Sequence, residues 1–355
     1  MPWQNPPSEN IPLTLVDWRL SLTENDNEGI WSEFHDLLRD AGATLWPHQG
    51  TSLLKRKPSK YIRPNGYAFA TPSRGLDGYT PWTAMDLTSF RYKNELKRPA
   101  SLQNGHDGVV RVVVLRDEGH MHLKILRRIA TEPLALLTSN HALPMLSEIS
   151  FDLVTFCVFP LVGGADMHRA FSAMGVMSSV GDLLDMVMQA LEGLGFLHDL
   201  KIAHRDAFSD NFLVQWLPES LKSMTVPITR PRVYLIDFET AVMFESDNDP
   251  SECTCTGIPM GDLKTYGRPV IPEMLNAVPY DPFKLDVWQL TVSLVFDTTF
   301  PSVESILTSM RVVDAGERPS ASEALSRLSS VVHNMMPQSL LVPLAPFPNT
   351  GDDGT

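Results

Sequence analysis

The residues whose types and spacing could do chemistry lie in two short stretches. His204, Arg205 and Asp206 close a long apolar-striped segment; Ala207, Phe208, Ser209 and Asp210 lead on to Asn211, and the apolar Phe212, Leu213 and Val214 follow. Residues 233–236 (VYLI) then read as a short buried strand with Asp237 at its mouth, ahead of Phe238 and Glu239. An acidic side chain at the mouth of a strand offers Mg²⁺ the hard oxygen ligand it prefers. A second carboxylate in a polar loop offers a place for a proton. Either motif alone also fits a plainer role, as a loop closing a helix or a turn ending a strand.

Taken in order, the two stretches resemble the protein-kinase catalytic loop H-R-D-x-x-x-x-N and the D-F-G segment, with Glu239 in place of the glycine. Three more matches follow: Ile271-Pro272-Glu273 stands where kinases have A-P-E, Asp286-Val287-Trp288 matches the helix that supports the catalytic loop, and Arg318-Pro319-Ser320-Ala321 matches the late arginine segment. The likeness covers residues 98–335. The phrases NFLVQW and YDPFKLDVWQL also look like the divergent kinase-domain proteins of basidiomycete fungi.

This resemblance implies an α+β, bilobal protein-kinase-like fold that uses ATP and Mg²⁺. Asp206 would orient a hydroxyl, and Asn211 and Asp237 would hold the metal. Arg111, Phe159, Pro160 and Leu161 would meet the nucleotide, with Arg111 on the α- and β-phosphates. His204, Arg205, Phe238, Glu273, Asp286, Trp288 and Arg318 would be structural. Glu273 and Arg318 are expected to pair in the interior, and Asp286 to hydrogen-bond backbone near His204 and Arg205.

Several positions depart from the pattern. No glycine-rich loop precedes residues 109–115 (VVRVVVL); residues 89–102 stand where that hairpin belongs and contain no glycine. Arg111 replaces the usual strand lysine, keeping charge but not geometry. Its helix partner falls at His122, which reads as a surface histidine, with Glu118 as a substitute. Phe208 replaces a frequent lysine, so a cation near the transferred group is missing, and Glu239 adds an anion. Residues 217–230 read as an inserted loop. Ser246, Ser251, Thr254, Thr256, Thr265 and Tyr266 could accept regulatory phosphate, and Cys253 with Cys255 makes an incomplete metal site.

The elements that must position these residues follow from periodicity. Residues 29–43 carry an amphipathic helix within an N-terminal extension, residues 1–97, that is otherwise irregular. A strand-rich part, residues 98–164, contains the strand 109–115, a helical stripe over 120–130 and a second strand, 153–161, that ends at Gly163-Gly164. A helical part, residues 165–335, opens with the long helix 180–198. Residues 336–355 read as a loose Pro-rich and acidic tail.

Composition narrows the partners. The 355 residues are 43% apolar, enough for a sizeable core, and the net charge of −13 opposes nucleic-acid and anionic-membrane binding. Three cysteines cannot make a disulfide framework, and no secretory signal or membrane span is visible, so an intracellular place, cytoplasmic or nuclear, is expected. The leading reading is a Ser/Thr protein-kinase-like phosphotransferase with nucleotide and protein partners. A pseudokinase scaffold is the alternative, supported by the missing glycine loop, Arg111, Phe208 and Glu239. A small-molecule kinase gains from the short stretch between Trp288 and Arg318.

Overall fold

The computed structural model describes residues 11–21, 29–49, 53–55, 89–92, 94–162, 166–173, 178–215, 230–245, 247–294 and 296–344. The expected inserted loop, Ser246, Gly163-Gly164 and the last part of the tail lie outside these residues, apart from Arg230 at the loop's end. Contacts divide the chain into two compact units, Met1–Ala135 with Leu143–Gly164, and Leu136–Ala142 with Ala165–Thr355. The first is strand-rich and the second largely helical, so the fold is α+β.

In the first unit, helices α1 (Leu15–Leu20) and α2 (His35–Asp40) precede strands β1 (Ala43–Leu45), β2 (Leu53–Lys55), β3 (Ser89–Arg91), β4 (Lys97–Leu102) and β5 (Asp107–Leu115). Helix α3 (His120–Ile129) leads to β6 (Ser147–Phe151) and β7 (Val154–Pro160). The main sheet runs β1-β4-β5-β7-β6, antiparallel throughout, and β2 pairs with β3 apart from it. The β4–β5 hairpin turns at Asn104-Gly105, where Gly105 takes φ 85 as the tight turn requires.

Residues 97–102, in the glycine-free stretch where a hairpin was expected, form a strand. Lys, Arg and Pro give the segment a weak strand signature, and pairing with β1 and β5 on its two sides overrides it. The connection between the first two strands of the sheet is the longer stretch 46–96.

The N-terminal residues share the sheet's core. Trp18, Trp31 and Phe34 pack with Phe156, Val110 and Leu38, and Phe34 meets the Phe156 ring edge-on at 5.0 Å. Both indoles donate to the Glu95 carbonyl, at 3.1 and 2.8 Å, which satisfies their N–H groups in the interior. Buried Arg98 pairs with Glu95 and lies 4.0 Å over the Tyr92 ring. His122 is buried on the inner face of α3 and is not the surface histidine expected, because that face also carries Leu123, Leu126 and Ile129. The Glu118 carboxylate accepts from the Leu15 N–H at 2.7 Å.

The second unit contains α4 (Met167–Ala173), α5 (Val180–Asp199), α6 (Leu263–Tyr266), α7 (Pro272–Leu275), α8 (Pro282–Val292), α9 (Pro301–Met310), α10 (Ala321–His333) and α11 (Pro337–Leu340). Two small antiparallel pairs sit among them: β8 (Ile202–Ala203) with β11 (Val242–Met243), and β9 (Phe212–Gln215) with β10 (Arg232–Leu235). A capping box between Ser179 and Asp182 starts α5, and its apolar residues fill the core. The tail's first part is not loose: the Val180 N–H donates to the Val342 carbonyl at 2.9 Å, and the missing side chain of Gly181 admits Leu340.

Candidate active site

The loop 204–209 is tied to one face of α8. Asp286, fully buried, accepts from the backbone N–H groups of His204 and Arg205 through separate oxygens, at 2.8 and 2.7 Å. Gln289 accepts from the Ala207 N–H and donates to the Arg205 carbonyl, and the Ser293 hydroxyl accepts from the Ser209 N–H at 2.9 Å. Side chains spaced by three and four residues share a helix face, so one turn-by-turn stripe fixes the loop backbone. The expected contact of Asp286 is present. Gln289 and Ser293 escaped the sequence reading because a polar stripe on a helix ordinarily faces solvent.

Two non-glycine residues here adopt left-handed backbone, Arg205 at φ 65 and Asp237 at φ 70. Such conformations persist only where the surroundings enforce them. Asp286 and Gln289 do so for Arg205. Asp237 follows β10, whose end is held by the Ile236 N–H donating to the Asn211 carbonyl at 3.0 Å. Glu239 lies in the helical turn Phe238–Thr240, which asks for no glycine.

His204 is buried and neutral, its pKa lowered chiefly by burial. Its Nδ1 accepts from the Asp206 N–H at 3.3 Å, so Nε2 carries the proton that it donates to the Ile236 carbonyl at 2.9 Å. The imidazole thereby bridges the two motifs, and Phe238 packs against it at 5.0 Å.

The Asp206 carboxylate has two unlike oxygens. Oδ2 accepts from Asn211 Nδ2 at 2.7 Å and from Arg268 Nη2 at 3.2 Å. Oδ1 is buried and has no hydrogen-bond partner among the described residues. Burial pushes the carboxyl up to about 7; the charge of Asp237 adds to this, while Arg268 and Asn211 oppose it. Asp206, Asn211 and Asp237 are thus brought together. Asn211 Nδ2 also donates to the Asp206 carbonyl at 2.8 Å, so the acceptor atom of this amide is Oδ1.

Arg268 supplies a cation that the sequence reading missed. Its Nη1 donates to both oxygens of Asp210 at 2.9 Å, and its guanidinium lies 5.2 Å from the Phe208 ring centroid. Phe208 therefore removes a lysine from the loop but furnishes a shelf for an arginine from another segment. Beneath it, Phe208 packs with Tyr266, Ile271, Met274 and Trp288. The Tyr266 hydroxyl accepts from Gln289 at 3.0 Å inside this layer.

The expected ion pair is present, with Arg318 Nη2 at 2.6 Å from Glu273 Oε2. Arg318 also donates to the Val312, Val313 and Lys284 carbonyls, so its fork is satisfied in the interior. The residues expected at a nucleotide belong to the first unit. Arg111 on β5 faces Lys97 and Cys157 in register, Phe159 and Pro160 on β7 face Val109 and Gly108, and Leu161 packs with Trp46 and Leu54.

Among the described residues no three His, Cys, Asp or Glu side chains form a metal cage, at Cys253 and Cys255 or elsewhere. Asn211 and Asp237 still fit Mg²⁺, which commonly takes one or two protein oxygens and completes its shell with phosphate and water.

No family model matches the sequence. It is similar to serine/threonine-protein kinase ppk8 of Schizosaccharomyces pombe, with 37% identity over 108 residues, or 30% of this chain and 17% of that protein. It is similar to sperm motility kinase 2B of Mus musculus, with 23% identity over 207 residues, 55% of this chain and 38% of the other. Probable serine/threonine-protein kinase fhkD of Dictyostelium discoideum shares 24% over 196 residues, 49% of this chain and 26% of the other. The matches thus span well under half the length of each of these proteins. Together they support a protein-kinase-like superfamily relationship.

Proposed function

We propose that the chain is an ATP-dependent phosphotransferase of the Ser/Thr protein-kinase kind, transferring the γ-phosphoryl group to an alcohol. The observation that carries this reading is the Asp206 carboxylate, held through Oδ2 with a buried Oδ1 left over for a proton. Oδ1 receives the hydroxyl hydrogen as the acceptor oxygen bonds to the γ-phosphorus. The bond from that phosphorus to the β,γ-bridging oxygen breaks, and ADP leaves with its electron pair. Asn211 Oδ1 and the Asp237 carboxylate hold Mg²⁺, which, when bound, offsets charge on the phosphates. Arg111 pairs the α- and β-phosphates, and Phe159, Pro160 and Leu161 meet the base. A polypeptide acceptor is part of the same reading, favoured by Asp286-Val287-Trp288 and the Glu273–Arg318 pair, and the residue 211–216 and 280–290 phrases look like those of kinase-domain proteins of basidiomycete fungi.

A scaffold that binds without transfer is the second reading, favoured by Arg111 and Glu239 at positions where kinases keep lysine and glycine. No described helix is long and apolar enough to cross a membrane. The three cysteines are unpaired, which supports an intracellular place.

Thermal denaturation with ATP, with and without Mg²⁺, tests the reading. Ligand at a hundred times its Kd adds about 2.7 kcal/mol to the folded state. A Mg²⁺-dependent rise that Asp237→Asn diminishes is expected; absence of any rise at millimolar nucleotide overturns the proposal.

A further inference from the structure

Arg268 comes from the stretch between α6 and α7, far in sequence from the loop it touches, yet its fork spans two of that loop's acids. Three features make the contact directional. Asp210 accepts from Nη1 with both oxygens, which anchors that end of the guanidinium. The Phe208 ring lies 5.2 Å from it and limits its tilt. Nη2 is then delivered to one oxygen of Asp206 only, the oxygen that also receives Asn211. Turning the carboxylate out of this plane gives up both donors, so the plane is held and one oxygen, here Oδ1, stays unengaged. Of the other groups near Asp206, His204 accepts from its backbone N–H, and the charge of Asp237 raises its pKa.

We propose that Arg268 is the positioning residue of the transfer site, clamping Asp206 from the stretch between α6 and α7 so that Oδ1 faces the acceptor hydroxyl, with Asp210 and Phe208 as its anchor and shelf. This rests on the phosphotransfer reading of the site. It also accounts for Phe208: a lysine there would compete with the guanidinium for Asp206. The arginine fork reaches the two carboxylates through separate nitrogens in one rigid plane, which the single nitrogen of an ammonium on the same stem does not provide.

The test compares Arg268→Gln, Arg268→Lys and Asp210→Asn in the full chain, by steady-state transfer, melting temperature and crystal structure. Misplacing a reacting group by an ångström costs about a hundredfold in rate, so kcat should fall by about that factor in Arg268→Gln. KM for Mg·ATP should stay within about twofold, since the clamp does not touch the nucleotide. Arg268→Lys should recover part of the loss, Asp210→Asn should show a smaller loss, and melting temperatures should stay close to that of the wild type. In the Arg268→Gln crystal structure, Asp206 should leave its present conformer or divide between two. An unchanged or raised kcat in Arg268→Gln overturns the proposal, as does an equal loss in the Gln and Lys variants accompanied by lowered melting. An Asp206 side chain unmoved in Arg268→Gln also overturns it, whether or not the wild type is active. A wild type that transfers no phosphate contradicts the phosphotransfer reading instead, and the conformer of Asp206 still decides the clamp.

Discussion

Burial is the main reason the Asp206 carboxyl titrates at about 7, well above an ordinary aspartate, and Arg268 and Asn211 only partly oppose it. If the ionised form takes the hydroxyl proton, kcat/KM should climb with pH through a midpoint near 7; an acid limb with its midpoint at an ordinary carboxylate value, about 4, would contradict the assignment. The same shift has a stability consequence. Between about pH 4 and about pH 7 the folded chain keeps a proton that the unfolded chain has released. The contribution of this group is therefore complete below about pH 4 and lost as pH rises through about 7. Asp206→Asn cannot ionise, so its melting temperature should gain on the wild type as pH rises from acid to mildly alkaline. A gain in the opposite direction would mean that the carboxylate is better paired than its contacts indicate. At this scale the sequence disclosed the acids and the amide, because their spacing is local. Arg268 was not legible: its role exists only once a segment 58 and 62 residues away from its partners closes over Phe208.

Helix α8 carries the loop's backbone on Asp286, Gln289 and Ser293, and the Glu273–Arg318 pair closes the same helical unit. Arg318→Ala leaves Glu273 with an uncompensated charge and three carbonyls without their donor, a loss that typically costs about 3–5 kcal/mol. Arg127→Ala, which breaks the exposed pair with Glu148, should cost no more than about 1 kcal/mol. Similar urea midpoints for the two variants would contradict the buried role of Arg318. In the strand-rich unit, Gly119 starts α3 at φ 86, and a Cβ there would come within 1.9 Å of the Val113 carbonyl oxygen. Gly119→Ala must therefore displace β5 or the helix start, and a loss beyond the about 1 kcal/mol of a simple left-handed residue is expected in denaturant titration. An unaffected midpoint would show that the turn can relax. Helical stripes and β-branched runs announced α3, α5, β5 and β7. Strand β4 was hidden because pairing from both sides, and not its own composition, makes it a strand.

Across the whole molecule, the strand-rich unit draws its core from residues whose surroundings look unstructured. Trp18, Trp31 and Phe34 are buried against Phe156 although Pro, Asn and Ser crowd the first stretch of chain. Isolated aromatics leave no periodic trace, so the ordered N-terminal packing could not be read in advance. The helical unit was more open to reading, since five motifs resembling those of protein kinases stand in order along it, and the chain's partial likeness to three kinases agrees. Movement of a phosphoryl group by way of Asp206 is followed by giving the full chain Mg²⁺ and ATP with heavy oxygen in the γ-phosphoryl group, together with a Ser/Thr peptide pool, and locating the label by mass spectrometry. Labelled phosphoryl on an acceptor hydroxyl with the wild type, and none with an Asp206→Asn protein that still binds Mg·ATP, is the predicted result. Equal labelling by both proteins, or none by a wild type that binds Mg·ATP, would contradict the account.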